Sequence, residues 1–124
     1  WDGREGYATA DQLKDAYFCA NYAKGSNSDF ENAYKEEYGE EYPNGFAPLG
    51  YDAAMTVVYG IQAAEDAGLA AGDDDYKQAV IDAIASGTID GITGTFTFDE
   101  HHNPVKQTAI LCFDGETPVL KEMF

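Results

Sequence analysis

The chain has 124 residues, 44% hydrophobic and 14% aromatic, enough for one ordinary domain and too rich in core-forming side chains for a disordered segment. Its 23 acidic residues face 7 Lys and Arg, and the formal charge of -16 repels phosphate backbones and anionic lipid surfaces, so nucleic acid and acidic membranes are disfavoured as partners. No apolar run reaches the roughly 20 residues that span a bilayer, and Trp1-Asp2-Gly3-Arg4 lacks a signal-peptide pattern; a first residue other than Met leads us to expect a piece of a longer protein.

Residues 16–22 are dense in Tyr, Phe and Cys without helical spacing and predict a short strand entering the polar loop at Lys24-Gly25-Ser26-Asn27. Ser28 followed by Glu31 reads as a capping box, from which a helix runs to Gly39 with Phe30, Ala33, Tyr34 and Tyr38 on its inner face. After a turn at Pro43-Asn44-Gly45, the spacing of Tyr51, Ala54, Val58, Ile61 and Ala64 predicts a second, largely buried helix that stops at Gly68. Asp52 would lie in its first turn, where a carboxylate favours the helix dipole.

Asp73-Asp74-Asp75 are read as caps of a third helix that buries Tyr76, Ala79, Val80, Ala83 and Ile84 and ends at Gly87. The period then changes to two, predicting strands at 95–98, 105–113 and 119–120, separated by Asn103-Pro104 and Asp114-Gly115 turns. Gly91 and Gly94 would give the backbone a tight passage before the first of these. Cys19 and Cys112 fall in strand-like apolar runs and read as buried free thiols, with a disulfide between them as the alternative. The order strand, three helices, strands indicates an α/β protein, yet it lacks the βαβ alternation of a complete doubly wound sheet.

Catalytic and metal patterns fare poorly. The carboxylates Glu36, Glu37, Glu40 and Glu41 lie in a Lys- and Tyr-rich solvated stretch, where nothing separates their acidities into acid and base roles. His101 and His102, beside Asp99 and Glu100, read as an exposed hairpin tip, because adjacent side chains there point apart. An acidic calcium loop from Asp73 would need Gly and Glu where Gln78 and Ile84 stand. The chain carries no nucleophile elbow, phosphate-binding loop or Cys-x-x-Cys. We therefore expect no enzyme, cofactor or bound metal.

Several segments in order carry a resemblance: Trp1-Asp2-Gly3, Tyr17-Phe18, Phe30-x-x-x-Tyr34-x-x-x-Tyr38-Gly39, Phe46-Ala47-x-Leu49-Gly50-Tyr51-Asp52-Ala53-Ala54, Gly91-x-x-Gly94-x-Phe96-x-Phe98-Asp99 and Asn103-Pro104-Val105-Lys106. The chain resembles the C-terminal part of the type I solute-binding proteins of branched-chain amino acid ABC transporters. It departs at Glu100-His101-His102-Asn103, where the family usually has Gly beside Asn.

The resemblance implies a two-lobed, three-layer αβα fold, a type I periplasmic-binding-protein fold incomplete in this chain. Residues 1–22 would end lobe 2 and cross the hinge, 23–108 would form a helical segment of lobe 1, and 109–124 would return as final strands of lobe 2. It also implies an extracytoplasmic receptor, at the periplasm or cell surface and anchored through lipid on a segment outside this chain. That receptor would clasp an amino acid, deliver it to a membrane permease and catalyse nothing. Phe46 would face the ligand. Trp1 could offer a cation–π face and Asp2 a carboxylate to its ammonium, with the family's own ammonium-binding acid just upstream of Trp1. The isolated chain would pair with a second copy or with its N-terminal half. A sensor domain of the same fold, or an acidic protein-interaction domain without a small ligand, are the alternatives.

Overall fold

The computed structural model describes residues 7–39 and 44–124, so Trp1 and Asp2 lie outside the described residues. The chain divides into two units, residues 1–48 with 107–124, and residues 49–106.

The first unit is built on an antiparallel sheet of β1 (Tyr17–Ala20), β5 (Ala109–Asp114) and β6 (Thr117–Met123), in the order β1-β5-β6. Alternation along β5 buries Ala109, Leu111 and Phe113 on one face, where Ala109 and Leu111 join Ala23, Phe18 and Ala20 in a core cluster. The Phe18 and Phe113 rings meet at 5.4 Å between centroids. On the opposite face Tyr17 and Cys19 are exposed and Ile110 and Cys112 half-buried. Both thiols are free, but Cys19 is exposed rather than buried as expected, because it sits on this outer face. A one-turn helix, α1 (Ala10–Leu13), unforeseen from the sequence, buries Leu13.

The helix α2 (Ser28–Tyr38) also belongs to this unit, and Asn27 rather than Ser28 caps it. The Asn27 backbone is extended and its Oδ1 accepts from Phe30 N at 3.0 Å, satisfying an orphan donor of the first turn. Glu31 is thereby released from the expected capping box. It accepts instead from Gly25 N at 2.7 Å and from the Tyr22 hydroxyl at 2.7 Å, tying the incoming loop to the helix. At the other end Gly39 takes φ 72 and its N–H donates to Lys35 O, the left-handed cap that Gly accepts without steric cost. Phe30 and Tyr34 are half-buried, whereas Ala33 and Tyr38 are exposed, and the Phe30, Tyr34 and Tyr38 rings form a ladder with centroid spacings of 6.0 and 4.6 Å.

The longest helix, α3 (Phe46–Asp66), starts five residues before Tyr51. Pro48 lies in its first turn, where the missing N–H costs nothing, and Asn44 Oδ1 accepts from Phe46 N at 2.9 Å. From Leu49 onward α3 belongs to the second unit, with α4 (Tyr76–Ser86), β2 (Ile89–Gly91), β3 (Gly94–Phe98) and β4 (Pro104–Val105). These strands pair antiparallel in sequence, and the expected single strand over 105–113 is split between β4 and β5. At α4, Asp75 is the cap residue but makes no side-chain cap bond, while Asp73 Oδ2 accepts from Ala70 N at 2.7 Å within the preceding loop. Asp73 thus serves the loop rather than the helix.

The stripe of α3 buried within its unit is Asp52, Thr56, Gly60 and Ala64, at steps of four. Close approach defines it: a Cβ added at Gly60 would come within 2.7 Å of Ile84 Cγ1 and 2.9 Å of Val80 O on α4. The expected core stripe lies on the far side. Of it Ala64 is 1% exposed, but Tyr51 is 48% and Val58 51% exposed. Val57 and Met55 are also exposed, so α3 is apolar around most of its circumference, the pattern of a helix covered on both sides.

Candidate functional site

Asp52 is 3% exposed, in the second turn of α3 rather than the first, and its side chain leaves the helix to reach the β2–β3 turn. Its Oδ1 accepts from Ile92 N at 2.7 Å, and its Oδ2 accepts from Thr93 N at 3.0 Å and from the Thr93 hydroxyl at 2.5 Å. Three donors around one buried carboxylate offset its desolvation. The turn comes this close because Gly91 has no side chain; a Cβ there would lie 2.6 Å from Asp52 Oδ2. Along the helix, Thr56 stays satisfied by donating its hydroxyl to Asp52 O at 2.8 Å.

Lys106, just after β4, completes a relay. Its ammonium donates to Thr93 Oγ1, the same oxygen that donates to Asp52, and sits 5.6 Å from the centre of the Phe96 ring. Burial holds the ammonium below its ordinary pKa, with the Asp52 charge pulling the other way. Beside it opens a cavity of about 290 Å³, lined by Leu49, Ala53, Phe96, Phe98 and Pro104 together with the Asp52, Thr56, Thr93 and Lys106 group. All these residues belong to the second unit. The site is an apolar pocket with one cationic donor at its polar end.

The residues nominated from the sequence do not meet there. Phe46 is 78% exposed at the start of α3, its N–H held by Asn44, and Trp1 and Asp2 are outside the described residues. The sequence places Asp52 at a helix start and shows Lys106 only within a motif. A visible signal existed: an Asp and a Thr on a four-residue step with Gly60 and Ala64 is an odd composition for a buried stripe, and it marks a polar side chain with a distant partner. Among the described residues, no group of three or more His, Cys, Asp or Glu side chains is placed to hold a metal ion. His101 and His102 lie in an exposed turn. Among the described residues, no helix is long and apolar enough to cross a membrane.

A family profile described as periplasmic binding protein matches residues 6–116, and the chain belongs to that family. The family is one of solute-binding receptors rather than enzymes, and its membership implies a location outside the cytoplasm. No curated protein matches the chain. Among solved structures it is similar to an ABC-transporter solute-binding protein from R. palustris in complex with benzoate, at 22% identity and a TM-score of 0.68, over 86% of this chain and 29% of that one. It is also similar to a leucine binding protein from Thermotoga maritima, at 21% identity and a TM-score of 0.65, over 92% of this chain and 32% of the other. A third is the branched-chain amino acid transporter substrate binding protein from Streptococcus pneumoniae in complex with isoleucine, at 25% identity and a TM-score of 0.61, over 94% of this chain and 31% of that protein. The fold is therefore part of a type I periplasmic-binding-protein fold, and the chain spans about 30% of the length of the structures it matches.

Proposed function

We propose that the protein containing this chain is an extracytoplasmic receptor that clasps an amino acid, branched-chain in type, between two lobes and delivers it to an ABC-transporter permease. The observation that carries this reading is the family match over residues 6–116. Residues 1–22 and 109–124 would belong to one lobe and 23–108 to the other. Phe46, Trp1 and Asp2 would contribute to the ligand wall, Phe46 by apolar packing and Asp2 by pairing with the ammonium. A lipid anchor outside this chain would hold the receptor at the membrane.

The exposed apolar side of α3 supports a further part of the reading. Tyr51, Ala54, Val57 and Val58 form a surface of modest relief, suited to a sheet supplied by the remainder of the same protein. Without that remainder the 124-residue chain alone would cover this face with a second copy, and light scattering tests it: a concentration-dependent dimer is expected, and a compact monomer at every concentration counts against the reading.

Two solved relatives are in complex with benzoate or 3,4-dihydroxybenzoic acid, which makes an aromatic acid the second ligand class to test. A thermal-shift panel on the intact protein decides between them. A true ligand at 100 times its Kd stabilises the folded state by about 2.7 kcal/mol. Leucine, isoleucine or valine should raise Tm and benzoate should not; the reverse pattern replaces the amino acid with an aromatic acid, and no shift with either class rejects the receptor reading.

A further inference from the structure

We propose that the pocket between α3 and the β3–β4 hairpin is a second ligand site, separate from the cleft of the receptor reading, and that it takes a small apolar monocarboxylate through the Lys106 ammonium.

The pocket is formed by residues of one unit alone, so it needs no lobe closure to exist. Its volume of about 290 Å³ lies just below the range of roughly 300–1,000 Å³ for small-molecule sites, which suits a small ligand. Leu49, Ala53, Phe96, Phe98 and Pro104 give it apolar walls, and the polar groups converge at one end, the distribution by which such sites fix a ligand's orientation.

The charge at that end is specific. An ammonium carries three donors. Among the described residues Lys106 commits a hydrogen bond to Thr93 Oγ1 and turns a face toward Phe96, which leaves donor capacity for an anion. Asp52 lies beyond the Thr93 hydroxyl in the relay, so it orients the ammonium without direct bidentate pairing. The chain has 7 cationic side chains against 23 acidic ones, and a half-buried ammonium beside apolar walls is the attractive feature for an anion in an otherwise repulsive field.

The same geometry selects against free amino acids. Asp52 is the acidic side chain of the lining, and its oxygens already accept from Ile92 N, Thr93 N and the Thr93 hydroxyl. An α-ammonium entering the pocket would lose its water without a dedicated acceptor, whereas a carboxylate on an aliphatic or aromatic body meets both needs. The ligand class is thus a monocarboxylate lacking an amino group.

The test uses the intact protein, with hexanoate as the probe, the methyl resonances of Leu49 and Ala53 as reporters, and leucine added to saturation in a parallel titration. Hexanoate should shift both methyls equally with and without leucine. Lys106→Met should weaken hexanoate binding roughly 10- to 100-fold, the loss expected for one charge-assisted hydrogen bond, and Lys106→Arg should retain most of it. Ala53→Leu, which fills the cavity and leaves the charge in place, should abolish the shift of the remaining reporter, Leu49. The proposal is overturned by methyls that do not respond, by leucine displacing hexanoate, or by a Lys106→Met effect below threefold. Failure of the amino-acid reading leaves the hexanoate shifts and the Lys106 and Ala53 variant effects in place, because none of these requires leucine to bind.

Discussion

Asp52 and Thr93 stand 41 residues apart and are joined by two hydrogen bonds, backbone to carboxylate at 3.0 Å and hydroxyl to carboxylate at 2.5 Å. This pairing fastens α3 to the β2–β3 turn and positions the Lys106 ammonium through the shared Thr93 oxygen. Replacing Asp52 with Ala strands two backbone N–H groups and a hydroxyl in a poorly hydrated place. We expect a loss of about 2–4 kcal/mol, read from urea unfolding, with Thr93→Val costing less because Asp52 keeps its two backbone donors. Equal small losses from both would show that the carboxylate is not the fastener.

Gly60 predicts a conflict between local propensity and packing. Ala is favoured over Gly inside a helix by about 1 kcal/mol, but the added Cβ would sit 2.9 Å from Val80 O, a backbone atom that cannot rotate away. Overpacking costs about 1–3 kcal/mol. Gly60→Ala should therefore lower the unfolding midpoint rather than raise it.

The β3–β4 turn gives the opposite case. His102 has φ 64, a left-handed conformation that non-glycine residues enter at a cost, and its N–H donates to Asp99 O at 2.9 Å. His102→Gly should stabilise the protein by about 0.5–1 kcal/mol, since the strain removed exceeds the chain entropy gained by the unfolded state. A lowered Tm would contradict this account of the turn.

Asp99 makes the same turn dependent on acid. Hydrogen bonds from Asn103, first its backbone and then its side chain, hold the Asp99 carboxyl below its ordinary 3.8 against an opposing effect of burial, with smaller help from His101 N and the His102 charge. A depressed folded-state pKa means that the unfolded chain binds the proton more readily. The stabilisation is complete above the ordinary value and is lost as pH falls through the folded one. Carboxyl NMR should show Asp99 titrating below a free Asp, and Asp99→Asn should flatten the acid limb of the stability curve; a normal titration would remove the turn's acid sensitivity.

Local rules carried the reading as far as local rules reach. Gly39 closing α2 and the Asp114-Gly115 turn between β5 and β6 depend on neighbouring residues and were visible in the sequence. The Asn27 cap was missed because Ser28 and Glu31 formed a plausible box, and the backbone decided for Asn27 once Glu31 found Tyr22 and Gly25. Apolar spacing shows α3 only from Tyr51, whereas the helix starts at Phe46, and Pro48 in its first turn breaks nothing. Periodicity found the apolar stripe through Tyr51 and Val58 but not which side of α3 this chain covers. The Asp52 contact could not emerge from spacing, since its partner is far along the chain. Phe46, Trp1 and Asp2 were nominated from resemblance, as cleft residues are defined by groups on separate segments.

Isothermal calorimetry of leucine into the intact protein tests the amino-acid receptor reading most directly. The account predicts one saturable site of micromolar or tighter affinity, weakened about tenfold or more by Phe46→Ala as an aromatic wall is lost. Absence of heat with leucine, isoleucine and valine alike would contradict it.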